Sequence, residues 1–174
     1  MTGTDAAPRH GETFSEFVLA REQALQRTAW LLTGDWALAE DLVQTALARC
    51  WPRWARIRDD PEFYVRRVMV NTWLTWRRRR WRGETPADPM PDGAASGDMA
   101  AETSVRLAVR DALAGLTERQ RAVLVLRVFD DMTEASVAQA LGCAVGTVKS
   151  TAARALARLR KDPRLADLME REGL

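Results

Sequence analysis

Between Thr133 and Lys161 the chain reads TEASVAQALGCAVGTVKSTAARALARLRK, and few architectures accommodate that order of residues. Thr133 suits a helix N-cap and Gly142 suits the position just past a helix end, so a short helix is expected between them. Cys143-Ala144-Val145-Gly146 leaves room only for a tight connection before a second helix. In that second helix Val148, Ala152, Ala155 and Leu159 recur at steps of four, three and four, which is one helical face. Lys149, Ser150, Ala153 and Arg154 fall on another face, with Thr147, Thr151 and Arg158 nearby. This is the grammar of a helix-turn-helix, whose second helix lies in a DNA major groove and reads bases from its first turns. Arg and Lys suit guanine, and Ser or Thr suits several bases. An amphipathic helix with a solvated charged face is the plainer alternative. The preceding helix, its glycine stop and the absence of any carboxylate from Gly142 to Lys161 favour DNA.

Charge is arranged in blocks that the net value of +2 conceals. Residues 51–82 hold ten Arg against Asp59, Asp60 and Glu62. Residues 83–104 hold five carboxylates and no Lys or Arg, and residues 145–161 hold five cations and no carboxylate. Two basic blocks separated by an acidic one point to two contacts with a polyanion. Cys50 and Cys143 match no metal spacing, and His10 is the only histidine. No metal, cofactor or His-dependent catalytic centre is expected. No nucleophile–base pair or Gly-rich phosphate loop stands out, so an enzyme is not expected either. No segment approaches the roughly 20 apolar residues of a membrane span, and no signal-peptide pattern opens the chain. A cytoplasmic protein without membrane insertion is the expectation.

The pattern is all-α throughout, in two small helical domains. Residues 13–82 carry helical periodicity interrupted at Thr33-Gly34-Asp35, near Pro52 and at Pro61, which suits the first turn of a helix. Residues 83–104 combine Pro, Gly and acidic residues and read as a flexible acidic linker. Residues 105–161 resume helical periodicity, with a capping box expected at Thr117-Glu118-Arg119-Gln120 for a helix that carries Val123, Leu124, Leu126 and Val128.

All seven Trp lie between positions 30 and 81. Trp30, Trp36, Trp51 and Trp54 read as packing residues. Trp73, Trp76 and Trp81 interleave with the arginine run, as stacking faces and phosphate charges do in proteins that hold single-stranded nucleic acid. Burial of Trp73 and Trp76 in the helix core is the competing reading.

Four phrases carry a family resemblance: AEDLVQTALARCW (39–51), PEFYVRRVMVNTWLTWRRRR (61–80), LTERQRAVLVLRVFDDMT (116–133) and VGTVKSTAARALARLR (145–160). In this order, over roughly residues 13–161, the chain resembles an extracytoplasmic-function (ECF) sigma factor of the sigma-70 family, most closely the sigma-E-like actinomycete group. The resemblance implies sigma domain 2 over 13–82 and sigma domain 4 over 105–161. It implies core RNA polymerase as partner, through the β′ clamp helices and the β flap, and promoter DNA, with an anti-sigma factor as a further candidate. Glu40, Asp41, Gln44 and Ala48 stand at the positions that dock on the clamp helices. The loop and helix that melt and read the −10 element correspond to Arg58, Phe63, Tyr64, Arg67, Asn71, Trp76, Arg77, Arg78, Arg79 and Arg80. Thr147, Lys149, Ser150, Thr151, Arg154 and Arg158 correspond to the −35 contacts. Thr75, Thr151 and Ala153 depart from common family residues, which bears on the promoter sequence rather than the class. A LuxR-type helix-turn-helix regulator is the alternative. It shares only the second domain and leaves the Trp/Arg helix unexplained.

Overall fold

The computed structural model describes residues 12–83 and 104–165, and the proposed linker lies almost wholly outside them. Among the described residues the chain is helical, with no strand. The first half comprises α1 (Phe14–Thr33), α2 (Trp36–Cys50), a 3₁₀ segment (Trp51–Arg56) and α3 (Pro61–Trp81). The second comprises α4 (Ser104–Ala114), α5 (Glu118–Leu124), a π-helical turn (Val125–Phe129), α6 (Glu134–Leu141) and α7 (Val145–Arg160).

Helix ends fall where polar caps and left-handed residues put them. Thr13 accepts from the Glu16 amide at 3.3 Å, and the Glu16 carboxylate accepts from the Thr13 amide at 2.8 Å. Thr117 and Gln120 form the same reciprocal box on α5, and Thr133 accepts from the Ser136 amide on α6. Each such cap stabilises a helix by about 1 kcal/mol. Gly34 (φ 73°) and Gly142 (φ 63°) end α1 and α6 in the left-handed region. Asp60 caps α3, with Pro61 at its first position.

In the first half α1, α2 and α3 pack around Phe17, Leu25, Leu32, Leu42, Val65 and Met69, all essentially buried. In the second half α5, α6 and α7 close over Leu124, Leu126, Val137, Val148 and Ala155. The packing is continuous between the halves. The Thr28 hydroxyl donates to the Asp130 carboxylate at 2.6 Å. Arg66 pairs with the other Asp130 oxygen at 3.2 Å, as an ion pair without hydrogen-bond geometry, and also with Glu62, which Arg21 holds at 3.1 Å. Arg121, buried, donates to the Leu31 carbonyl at 2.7 Å. The Arg106 guanidinium lies 5.6 Å from the Trp36 ring centre and 6.0 Å from that of Trp30.

Three expectations change. Trp51 is 60% exposed where the chain turns into the 3₁₀ segment, and its ring packs on Phe14 in a T-shaped pair. The connection between α6 and α7 is shorter than expected, since Val145 and Gly146 already belong to α7. The segment carrying Val123 to Val128 is not one α-helix, because the ladder changes to a π turn at Val125.

Candidate nucleic-acid interface

α7 sets Val148, Thr151 and Ala155 inward against α5 and α6. That orientation leaves Thr147, Lys149, Arg154 and Arg158 exposed along the outer face, with Ser150 half-buried at its edge. Arg154 and Arg158 are one turn apart and share a stripe. Lys149 reaches Glu134 at 3.7 Å, a pair too exposed to hold it against a phosphate. Thr151 is only 8% exposed. It follows Val148 by three residues, and that spacing puts it on the packed face, so it is no part of the open surface.

α3 arranges the other basic block. Tyr64, Arg67, Asn71 and Thr75 descend one side of the helix and face Arg49 and Arg53 from the end of α2 and the 3₁₀ segment. Together with Val68 and Thr72 they line an open concavity of about 480 Å³. Arg49 donates to the Thr72 hydroxyl at 2.8 Å, which fixes one guanidinium nitrogen at the wall of the hollow. Asn71 donates to the Arg67 carbonyl at 2.8 Å and to the Ala140 carbonyl of α6 at 2.9 Å. Such a hollow, with one aromatic ring, one amide and three guanidinium groups, has the chemistry to hold an unstacked base and its phosphates. Arg49 and Arg53 were not among the residues expected from the sequence. They lie outside the arginine run, and only the packing of α2 on α3 brings them to it.

The remaining α3 residues are spread more widely. Arg58 is exposed in the turn before the helix, while Phe63 and Trp76 are half-buried against the core. The loop before α3 ends at Asp60, and Pro61 to Tyr64 already form the first helical turn, so Phe63 and Tyr64 belong to the helix. Arg77, Arg78, Arg79 and Arg80 are exposed at the C-terminal end, where Arg77 pairs with Glu118 at 3.1 Å. Trp73 is buried, whereas Trp81 is 90% exposed beside Arg78 and Arg82. Of the three interleaved tryptophans, only Trp81 offers an open ring face.

On α2, Glu40, Asp41, Gln44 and Ala48 form one exposed stripe, opposite Leu42, Val43 and Ala46 in the core. Among the described residues no pairing with another element occupies them; Gln44 meets Glu40, at 3.4 Å. Burial pushes the Cys50 thiol up to about 11, so it is a packing residue rather than a nucleophile. Among the described residues no group of three His, Cys, Asp or Glu could hold a metal, and no helix is long and apolar enough to cross a membrane.

Comparison with known proteins gives the family. The family model described as Sigma-70 region 2 matches residues 17–83, and that described as Sigma-70, region 4 matches residues 106–159. The chain belongs to the sigma-70 family of RNA polymerase sigma factors, in its ECF branch. It is 43% identical to an RNA polymerase sigma-E factor of Streptomyces avermitilis over 94% of this chain and 95% of that one. It is 35% identical to the ECF RNA polymerase sigma factor SigL of Mycobacterium tuberculosis over 78% of this chain and 80% of that one. The sigma factor RpoE of Bartonella quintana, solved with the anti-sigma factor NepR, superposes with a TM-score of 0.66 at 24% identity. That match covers 85% of this chain and 94% of that one. CnrH, solved with the cytosolic domain of CnrY, superposes with a TM-score of 0.62 at 22% identity, covering 84% of each chain. These two likenesses show the fold. The region 2 match disfavours the LuxR-type reading, which accounts for the second half alone.

Proposed function

We propose that this ECF sigma factor grips a promoter at two points while bound to core RNA polymerase. Residues 13–82 bind polymerase and melt the −10 element, residues 105–161 read the −35 element, and residues 83–104 join them. The observation that carries this reading is the pair of separate basic surfaces, a hollow on α3 suited to an unstacked base and an α7 face suited to a major groove. They lie in the two segments that match regions 2 and 4.

In the hollow, Asn71 offers an amide to a base edge and Tyr64 a ring to stack on. Arg49, Arg53 and Arg67 neutralise the flanking phosphates. Extruding a base costs a few kcal/mol, and stacking plus charge offsets it. Arg58, Phe63, Trp76 and Arg77 to Arg80 extend this −10 surface. On α7, Lys149, Ser150 and Arg154 face base edges, and Thr147 and Arg158 hold the backbone. Glu40, Asp41, Gln44 and Ala48 dock on the β′ clamp helices, and the second domain meets the β flap. An anti-sigma protein is a further candidate partner. The place of action is the cytoplasm, with the polymerase.

Run-off transcription with Streptomyces core polymerase and a panel of genomic promoter fragments tests this. Promoter-dependent transcripts that require the added chain are expected. Their absence across the panel overturns the proposal.

A further inference from the structure

Arg49, Arg53 and Arg67 line the hollow on α3, and no carboxylate does. Like charges gathered around one small space repel each other, and a long side chain gives up rotamer freedom when it meets a ligand. Arg49 is held in advance. Its Nη1 donates to Thr72 Oγ1 at 2.8 Å, from the last turn of α2 to the middle of α3. Arg49 itself is exposed, whereas Thr72 is only 1% exposed.

The polarity of that contact is fixed from below. The Thr72 hydroxyl has one hydrogen, and it goes to the Val68 carbonyl at 2.7 Å. The oxygen therefore faces Arg49 as an acceptor. A helix gains little from back-bonding of this kind. For packing alone, valine has the same shape and no buried polar atom to satisfy. What the hydroxyl adds is the acceptor. A carboxylate in its place would hold Arg49 more firmly but would cancel its charge. A neutral hydroxyl orients the guanidinium and leaves the charge available to a phosphate.

We propose that Thr72 is a positioning residue of the −10 site: its buried hydroxyl fixes the Arg49 guanidinium at the wall of the hollow, with its charge uncompensated, for the phosphate beside the extruded base. The proposal rests on the reading of that hollow as the place where the melted −10 strand is held.

The test uses holoenzyme assembled from core polymerase and the full chain. The probe is a labelled promoter fragment that yields a transcript in the run-off panel, unpaired across its −10 element, and fluorescence anisotropy reads its binding over a range of salt. Arg49→Ala is expected to weaken binding about tenfold and to flatten the plot of log affinity against log salt by about 0.7, the share of one single-strand phosphate. Thr72→Val is expected to weaken binding about threefold, and Thr72→Ser to restore it, since only the hydroxyl is at stake. In the Arg49→Ala background Thr72→Val should cost nothing further, because its effect passes through Arg49. Arg49→Lys is the second variant. It alters an exposed residue and so spares the core should Thr72→Val fail to fold. It should keep the salt dependence and still lose about threefold in affinity, because an ammonium carries the charge without the fixed fork.

Thr72→Val that binds like the wild type overturns the proposal. So does a loss that serine does not restore, or one of equal size with and without the Arg49 side chain, either of which assigns Thr72 to packing alone. Arg49→Lys binding as tightly as the wild type overturns it too, since a mobile charge then suffices. A wild type that yields no promoter-dependent transcript in the run-off panel overturns the two-point reading and this role with it. A wild type that transcribes, beside an indifferent Thr72→Val, overturns the positioning role alone.

Discussion

The side-chain amide of Asn71 donates to the main-chain carbonyl of Ala140 at 2.9 Å, across the junction between α3 and α6. One residue thus both lines the basic hollow and ties it to the helix-turn-helix. Truncating it removes the proposed base contact and the observed contact with α6 together.

Asn71→Ala is expected to slow promoter opening on fully duplex templates about tenfold or more, because the amide proposed to meet the extruded base is lost. Templates already unpaired across the −10 element should recover most of that loss. Permanganate reactivity of the unpaired thymines over time follows opening directly. Equal impairment on duplex and pre-melted templates would show that Asn71 has no part in melting.

Much of the local structure was legible from spacing and caps. Thr13, Thr117 and Thr133 mark helix starts, and Gly34 and Gly142 mark helix ends, because each satisfies a local backbone requirement. The α7 face was legible except at Thr151. There a hydroxyl suggested a polar surface, although its distance from Val148 already placed it on the packed side. The junction was not legible at all. Asp130 meets Thr28 across 102 positions and Arg121 meets Leu31 across 90, and neither charge differs in sequence from an ordinary surface residue. Arg49 and Arg53 were missed for the same reason, since only tertiary packing sets them opposite Asn71.

Arg154 is exposed on the outer stripe of α7, and a guanidinium there can take two acceptors on guanine. Arg154→Ala should weaken discrimination at one −35 position by about 1–3 kcal/mol and relax preference there alone. Competition between single-base promoter variants for the polymerase holoenzyme measures this. Arg158→Ala, if Arg158 serves the backbone, should weaken all variants alike and reduce the dependence of binding on salt. Base preference untouched at every −35 position in Arg154→Ala would remove it from the readout.

Gly34 satisfies two requirements at once. Its φ of 73° lies in the left-handed region, and a Cβ there would stand 3.3 Å from both Arg110 Cγ and Arg121 Nη2. Gly142 has a φ of 63° and open space around it. Gly142→Ala should therefore show conformational strain alone, about 1–2 kcal/mol. Gly34→Ala should show the same strain plus displacement of two arginines from the junction, and so a larger fall in Tm. At roughly 2–4 °C per kcal/mol for a chain of this size, the difference is measurable by thermal denaturation. Equal Tm values for the two variants would mean that the Arg121 side chain yields freely at this junction.

Asp130 makes the junction sensitive to pH in a direction that can be worked out. Burial pushes its carboxyl pKa above the ordinary value; Arg66, the Thr28 hydroxyl and Arg27 oppose that shift, and Glu62 adds to it. A raised pKa means that the packed chain holds the proton more tightly than the unfolded chain. Its contribution to stability is fully present below the ordinary carboxyl value and is lost as pH rises through the raised one. Each unit of elevation corresponds to about 1.4 kcal/mol. Other carboxylates run the opposite way: Glu118 is held below its ordinary value by a backbone hydrogen bond and by Arg77, so the whole-protein profile mixes signs. The difference between the wild type and Asp130→Asn isolates the group, since Asn keeps an acceptor for Thr28 and cannot titrate. Asp130→Asn should hold its greatest advantage in Tm near neutral pH, and that advantage should shrink as pH falls towards the carboxylate range. A difference that grows on acidification would mean that Arg66 and Thr28 outweigh burial, so that the ionised carboxylate itself holds the two halves together.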